Sequence, residues 1–307
     1  MRAFTLDSFD SLPRLRDDMS DPRPAGNELL VRVRASSVNP VDAAIAAGVL
    51  KEMAEHDFPV TLGRDFAGVV ERVGDVVSRY RSGDEVYGFL PATNPSVHEG
   101  SWAELITVPE DDFVAAKPRE LDMASAGAVP LAAITALAAR EALAPTRDET
   151  VLVIGATGGV GSFFVQLAAG ADAHVIAPAL REDEEYLREL GVSEVLDREA
   201  ELEATLGERH PDGVDAILDL VSYTPQDALL REGGRLASPL GAAGEGPQRF
   251  NLVAQPTPGN LQRVAELLDS GAFRVHIQRS YELAQGAEAL QALSGSHKRG
   301  KLSLAIA

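Results

Sequence analysis

The feature that most constrains the fold of this chain is a glycine-dense turn between an apolar run and an amphipathic segment. Residues 151 to 161 read Val-Leu-Val-Ile-Gly-Ala-Thr-Gly-Gly-Val-Gly and are followed by Ser-Phe-Phe-Val-Gln-Leu-Ala-Ala-Gly. This order predicts a strand, a tight turn and a helix. Ala156, Gly158 and Gly161 match the relaxed A-x-G-x-x-G fingerprint, in which backbone N–H groups at a helix start bind a diphosphate. The alternative is a turn that only packs a helix on a strand.

Length and composition indicate a globular protein with two domains or one large one. A chain of 307 residues exceeds the size at which one core usually keeps growing, and 27 Gly with 18 Pro indicate many turns. No apolar run approaches the roughly 18 residues that span a bilayer, and the first residues lack a signal-like apolar stretch. We therefore expect a cytoplasmic enzyme with no membrane partner.

The residue types exclude several kinds of site. The chain has no cysteine, which excludes disulfides, thiolate metal sites and a thiol nucleophile. Its six histidines, at positions 56, 98, 174, 210, 276 and 297, include no pair with the spacing of a helical metal motif, so we predict no metal site. A formal net charge of -19 would repel phosphates, so no nucleic-acid partner is expected.

The apolar pattern changes along the chain. From residue 1 to 117, short alternating runs separated by Gly, Pro and Asp turns predict an antiparallel, barrel-like β domain. From 118 to 270, apolar strands alternate with helices, which predicts an α/β domain with a doubly wound parallel sheet. Residues 271–307 are expected to return to the first domain, and a ligand is expected in the cleft between the two domains.

Seven segments in one order are far more specific than a single glycine loop. They are Ser36-Ser-Val-Asn-Pro-Val-Asp42, Leu62-Gly-Arg-Asp-Phe-Ala-Gly-Val-Val70, Gly83-Asp-Glu-Val-Tyr-Gly88, Gly100-Ser-Trp-Ala-Glu104, Gly155-Ala-Thr-Gly-Gly-Val-Gly161, Gly233-Gly-Arg-Leu236 and Lys298-Arg-Gly-Lys-Leu302. Together they resemble the zinc-independent, quinone oxidoreductase-like branch of the medium-chain dehydrogenase/reductase superfamily over essentially the whole chain. The resemblance implies a Rossmann nucleotide domain at 118–270 and a GroES-like substrate domain at 1–117 and 271–307.

The resemblance also implies that no catalytic zinc is used. In the zinc-bearing branch a histidine ligand lies in a Gly-His-Glu segment, which corresponds here to Gly63-Arg64-Asp65. A guanidinium does not lose its proton to bind a metal, the chain has no cysteine to help, and the four-cysteine structural zinc lobe is missing. Hydrogen-bond donors, ordered water or the cofactor ribose must then polarise the substrate oxygen.

By resemblance, Asn39 is the candidate to point into the cleft beside the nicotinamide, with Asp42 on the following turn. Local sequence allows another interpretation, because Asn-Pro is a common turn start and Asp42 could cap a short helix from Ala43 to Ala47. Some relatives have a tyrosine proton donor just after this unit, where the present chain has alanines. No protein acid is assigned.

Further residues are expected at the cofactor by the same resemblance. Thr135 would lie against the nicotinamide amide, unless it only bonds back to its own helix. Lys301 would line the cofactor cleft, unless it is a solvated charge at a strand end. The residues expected at the diphosphate turn are Gly155, Ala156, Thr157, Gly158, Gly159 and Val160, and those expected near the nicotinamide half are Leu240, Gly241 and Phe250.

The second strand of the nucleotide domain bears on the choice between NADP and NAD. An acidic residue about 20 positions after the glycine loop would bind the ribose 2′-hydroxyl of NAD, yet no carboxylate occurs here before Glu182. Arg181 and Arg198 are candidates for the 2′-phosphate of NADPH, because a guanidinium binds phosphate with paired donors. The acidic run 182–185 would oppose a phosphate if it turned inward. NADPH is therefore favoured, with NADH possible.

The function implied is hydride transfer from NADPH to a quinone or an activated alkene, which is a small-molecule substrate. Substrate choice would depend on loops such as Val49–Pro59 and Pro91–Gly100. Two alternatives stay open, an enoyl or alkenal reductase specific for α,β-unsaturated carbonyls and a non-catalytic NADPH sensor. The family commonly forms homodimers through the edge strand of the nucleotide sheet, here expected near Gln248–Val253, since an exposed edge strand favours pairing.

Overall fold

The computed structural model describes residues 1–93, 96–295 and 297–307. Its chain divides into two compact units. Unit 1 comprises Met1–Leu131, Pro256–Gly271 and Val275–Ala307, and unit 2 comprises Ala132–Gln255 and Ala272–Arg274.

Strands account for most of unit 1, and helices alternate with strands in unit 2. The strands are β1 (Ala3–Leu6), β2 (Arg14–Arg16), β3 (Glu28–Ser37), β4 (Val60–Thr61), β5 (Asp65–Val73), β6 (Glu85–Phe89), β7 (Leu105–Pro109), β8 (Val114–Ala116), β9 (Thr150–Ile154), β10 (His174–Ala179), β11 (Glu194–Asp197), β12 (Val214–Asp219), β13 (Leu230–Ser238), β14 (Arg249–Asn251), β15 (Ile277–Glu282) and β16 (Lys301–Ala305). The α-helices are α1 (Pro40–Ala46), α2 (Met123–Ala128), α3 (Pro130–Leu143), α4 (Gly159–Ala169), α5 (Glu184–Leu190), α6 (Leu202–Arg209), α7 (Pro258–Asp269) and α8 (Gly286–Leu293).

Unit 1 is built on two sheets. One has the order β2-β1-β4, and the other has the order β15-β16-β3-β5-β6-β8 with β7 also paired to β3. All of these pairs are antiparallel except β15 with β16. Apolar residues that alternate along β3 bury Leu29, Val31 and Val33 in one core with Phe66 and Trp102. The antiparallel β-rich unit predicted from the alternating runs is thereby confirmed.

Unit 2 contains a six-stranded parallel sheet with the order β11-β10-β9-β12-β13-β14. When β9 is numbered 1 and the later strands follow in chain order, the strand order is 3-2-1-4-5-6, which is that of dinucleotide-binding sheets. The central strands β9 and β12 are buried almost throughout, because helices cover both faces of such a sheet. The predicted doubly wound α/β architecture is confirmed, and β14 lies at one edge of the sheet as expected for the segment near Gln248–Val253.

The tail returns to unit 1, where β16 pairs with β3 through Ser303 and Ser37. The contact-based division differs from the predicted boundaries at 117 and 270, because residues 118–131 and 256–271 pack with unit 1. There the Phe113 N–H donates to the Pro256 carbonyl at 2.9 Å, and the Tyr87 hydroxyl donates to the carbonyl of Leu261 in α7. Among the described residues, no helix has both the length and the apolar character required to cross a membrane.

Candidate functional site

The glycine turn of unit 2 has the geometry that its sequence predicts. Gly155 follows β9 with φ +91°, a left-handed conformation that L side chains rarely adopt. The Gly158 N–H closes the turn on the Gly155 carbonyl at 3.2 Å, and α4 begins at the next residue. The first N–H groups of an α-helix have no carbonyl partner within the helix, so the start of α4 offers donors to an anion.

Gly158 and Gly161 have different roles in this turn. A Cβ on Gly161 would lie 2.2 Å from the Gly155 carbonyl oxygen and 2.7 Å from Ala156 Cα, so only glycine lets α4 pack this closely on the turn. A Cβ on Gly158 would meet nothing nearer than the Gly155 oxygen, at 3.5 Å. Gly161 therefore has a packing role, whereas Gly158 leaves open space above the helix start.

Arg181 and Arg198 lie at the carboxyl edge of the strands beside that turn. Arg181 begins a 3₁₀ turn two residues after β10 ends, and Arg198 directly follows β11. The Arg198 N–H donates to the Ala179 carbonyl at 3.0 Å, which ties the two segments together, and both arginines are exposed. Glu184 and Glu185 occupy the first turn of α5.

The other predicted cofactor residues of unit 2 lie on separate elements. Leu240 and Gly241 follow β13, where Gly241 has φ +75° and the Leu240 N–H donates to Ser238 Oγ at 3.1 Å. Phe250 is half-buried in the edge strand β14. Thr135 is buried in α3. Leu240 and Gly241 thus share the carboxyl edge of the sheet with the glycine turn, since the strands are parallel.

In unit 1, the structure brings Asn39, Asp42 and Lys301 together. Lys301 Nζ donates to Asn39 Oδ1 at 2.6 Å, and the Asn39 N–H donates to Asp42 Oδ2 at 2.7 Å. Asn39 is the N-cap of α1, so the helix begins at Pro40, and Asp42 accepts a hydrogen bond from the capping residue without being the cap itself. All three side chains are buried, and Lys301 is not a solvated charge.

Asp65 is the centre of this cluster and is not among the predicted site residues. Its Oδ2 accepts hydrogen bonds from Ser37 Oγ at 2.5 Å and Asn39 Nδ2 at 2.9 Å, and lies 3.6 Å from Lys301 Nζ. Its Oδ1 accepts the Leu131 N–H at 2.7 Å. The sequence signal was a carboxylate directly before the apolar run Phe66–Val70, because a carboxylate buried with such a run requires polar partners.

Both donors of the Asn39 amide are occupied in this arrangement. One is bound by Asp65 and the other by Ser37 Oγ at 3.1 Å, while the carbonyl oxygen already accepts from Lys301. The role of Asn39 beside the nicotinamide stays a prediction.

A second buried pair lies beside the cluster. Arg64 Nε is 4.0 Å from Asp42 Oδ1, and the guanidinium donates to the carbonyls of Pro91 and Thr61, each at 3.0 Å. Burial raises the pKa of Asp42 to about 7, against the opposing effects of Arg64 and of the Asn39 N–H. Burial lowers the pKa of both Arg64 and Lys301. Asp42 can therefore hold or release a proton near neutral pH.

The two loops proposed to select the substrate are described to different extents. In the first, His56 and Phe58 pack with Phe9, whose ring centroid lies 4.8 Å from that of His56 and 5.0 Å from that of Phe58. In the second, Asn94 and Pro95 lie outside the described residues. The first loop therefore has an aromatic support at its carboxyl end.

Comparison with known proteins adds family information to this geometry. Residues 25–119 match the family profile described as "Alcohol dehydrogenase GroES-like domain", and residues 190–304 match the one described as "Zinc-binding dehydrogenase". The chain is 31% identical to an NADPH-dependent alkenal/one oxidoreductase of Arabidopsis thaliana, over 94% of this chain and 75% of that protein. It is 28% identical to a chloroplastic quinone-oxidoreductase homolog of Spinacia oleracea, over 93% of this chain and 92% of the relative.

A solved structure agrees with these sequence relatives. The quinone oxidoreductase from Coxiella burnetii superposes with a TM-score of 0.88 at 28% identity, covering 100% of this chain and 99% of that one. Similarity over both chains in full shows that the β-rich unit and the parallel sheet occur together in one known architecture.

Proposed function

This chain belongs to the quinone oxidoreductase-like proteins of the medium-chain dehydrogenase/reductase superfamily, and on that premise we propose that it transfers hydride from NADPH to a quinone or an activated alkene. The observation that carries the proposal is the glycine turn of unit 2, with its open space at Gly158 and the helix start that follows it. A parallel sheet of this order binds dinucleotides at the carboxyl ends of its strands.

The residues present fit a dinucleotide. Gly158, Gly159 and Val160 would hold the diphosphate at the start of α4, and Leu240 with Gly241 would line the same sheet edge. NADPH, when bound, supplies the hydride. In unit 1, Asn39 would orient the polar end of the substrate or of the cofactor ribose, with Lys301 fixing the amide oxygen at 2.6 Å. Asp42, with its raised pKa, is suited to hold a proton near neutral pH.

We propose further that the reaction uses no zinc. The zinc-bearing branch requires a thiolate and an imidazole, whereas this chain has no cysteine and has Arg64 at the histidine position. The Arg64 guanidinium is already bound to two carbonyls and faces Asp42. A guanidinium in that position offers no lone pair to a metal ion, and hydrogen-bond donors are left to polarise the substrate oxygen.

The preference for NADPH is tested on Arg181 and Arg198. Replacing both with alanine should raise the KM for NADPH at least tenfold and change the KM for NADH less than twofold, since only NADPH carries the 2′-phosphate that paired guanidinium donors bind. The matched control is Arg188→Ala, an exposed arginine of α5 that pairs with Glu184. Equal effects on the two cofactors would contradict this assignment.

The acceptor is tested by following NADPH absorbance with a panel of quinones, enals, enones and enoyl thioesters. We expect turnover with quinones or with activated alkenes and no loss of activity after dialysis against a zinc chelator. Turnover confined to α,β-unsaturated carbonyls would identify an alkenal or enoyl reductase. Tight NADPH binding without consumption by any acceptor would identify a sensor and overturn the proposed reaction.

Two further expectations, on oligomeric state and on cellular location, accompany this proposal. A homodimer through the edge strand β14 would pair backbone groups that are otherwise left at the edge of the sheet. Light scattering measures this directly, and a monomer would contradict it. The cytoplasmic location stays a prediction.

A further inference from the structure

Three potential metal ligands meet at the amino edge of the parallel sheet. His174 is the first residue of β10, Glu194 is the first residue of β11, and His210 directly follows α6. Because β10 and β11 are parallel neighbours, their first residues lie at the same sheet edge. This is the edge opposite the glycine turn, which follows the carboxyl end of β9.

The ligand atoms are spaced as a small metal ion requires. His210 Nε2 lies 3.1 Å and His174 Nε2 lies 3.5 Å from the same atom, Glu194 Oε2, and all three ligand atoms are within 4.8 Å of one another. Zinc bonds of about 2.0–2.2 Å at tetrahedral angles separate neighbouring ligands by roughly 3.4 Å. The three side chains can therefore bind one ion with little rearrangement.

A neighbouring residue holds the carboxylate in place. Arg209 Nη1 donates to the other oxygen of Glu194, Oε1, at 2.6 Å, which directs Oε2 toward the two imidazoles. Partners of this kind orient metal ligands in known sites.

The exposure of the three side chains and the type of their ligand atoms indicate which ions the cluster would bind. Glu194 and His210 are about four-fifths covered, with side chains 18% and 21% exposed, whereas His174 is 46% exposed, which leaves a side of the cluster open to a water ligand. Two imidazoles and one carboxylate suit borderline ions such as Zn²⁺, Cu²⁺, Ni²⁺ and Co²⁺ better than Mg²⁺ or Ca²⁺, which prefer all-oxygen sites. Among the described residues, this is the cluster that brings three such ligands together.

We propose that His174, Glu194 and His210 bind a divalent transition metal, with Zn²⁺ as the reference ion, and that this ion links β10, β11 and the end of α6. The site lies at the sheet edge opposite the proposed nucleotide position, so its role is structural. Metal bound only to the folded chain stabilises it in proportion to the logarithm of metal concentration over Kd.

The test is titration of metal-free, untagged protein with Zn²⁺ by calorimetry. We expect one ion per chain and a rise in Tm that grows with Zn²⁺ concentration. Co²⁺ should give a visible absorption band in place of Zn²⁺. His174→Gln and His210→Gln should each weaken binding at least tenfold, while circular dichroism and NADPH binding stay unchanged.

The matched control is His98→Gln. His98 is also partly exposed, and its Nδ1 lies 3.9 Å from Asp57 Oδ2. Among the described residues, however, His98 and Asp57 are not joined by a third metal-ligating side chain. Its replacement should leave Zn²⁺ affinity unchanged. Absence of Zn²⁺ binding, or full binding in the His174→Gln/His210→Gln double variant, would overturn the site. Binding without a rise in Tm would overturn its structural role.

Discussion

Replacing Asp65 with asparagine is expected to lower the free energy of unfolding of unit 1 by about 3–5 kcal/mol, the range for breaking a buried ion pair on one side. The carboxylate is fully buried and accepts hydrogen bonds from Ser37, Asn39 and Leu131 while lying 3.6 Å from Lys301. An amide would remove the carboxylate that pairs with the buried ammonium and would turn an NH₂ group toward existing donors.

Fluorescence during urea unfolding measures this loss, because the only tryptophan of the chain reports on the same region. Trp102 is buried and its indole N–H donates to the Ser37 carbonyl at 3.0 Å. The control is Asp112→Asn, an exposed aspartate of unit 1, which should change stability by less than about 0.5 kcal/mol.

A second substitution separates the ion pair from the hydrogen bonds. Adding Lys301→Met to Asp65→Asn removes the unpaired ammonium and should restore about 1–3 kcal/mol, the size of coupling found between residues in direct contact. Purely additive losses would show that Lys301 does not depend on Asp65. An Asp65→Asn loss below about 1 kcal/mol would contradict the central role of this carboxylate.

The fold could be predicted because its signals are local and repeated. The apolar run of β9, the glycine turn and the start of α4 are adjacent in sequence, and the alternation of strands and helices that follows is typical of one architecture. The domain boundaries depend on contacts between segments that are far apart in the sequence. Residues 256–271 pack with unit 1 through Tyr87 and Phe113, and no pattern within that segment indicates those partners.

The candidate site was predictable only in part, because its centre depends on strand register. Asn39 and Lys301 follow from the resemblance, but Asp65 joins them because β3 ends at Ser37 while its antiparallel neighbours β5 and β16 begin at Asp65 and Lys301. The histidines show the same limit. His174 and His210 are 36 positions apart in the sequence, yet both contact Glu194 once β10 and β11 pair.

Replacing Gly161 with alanine is expected to weaken NADPH binding about a hundredfold, which corresponds to roughly 2.7 kcal/mol. The added Cβ would lie 2.2 Å from the Gly155 oxygen and 2.7 Å from Ala156 Cα, both backbone atoms, so α4 and the turn must separate. That movement displaces the N–H groups proposed to bind the diphosphate. NADPH fluorescence titration measures the affinity, and Trp102 fluorescence checks that unit 1 stays folded.

Two further glycines separate packing from cofactor contact. Gly207 lies inside α6 with nothing within 4 Å of an added Cβ, so Gly207→Ala should bind NADPH normally and gain about 0.5–1 kcal/mol of stability from helix propensity.

In Gly158→Ala, the added Cβ meets only the Gly155 oxygen, at 3.5 Å. It should lose no more than about 1 kcal/mol of stability, because alanine is a poor N-cap, yet it should weaken NADPH binding at least tenfold by occupying the space above the helix start. Normal NADPH affinity in both Gly158→Ala and Gly161→Ala would exclude this turn as the diphosphate site, since one variant fills the space for the ligand and the other moves the donors.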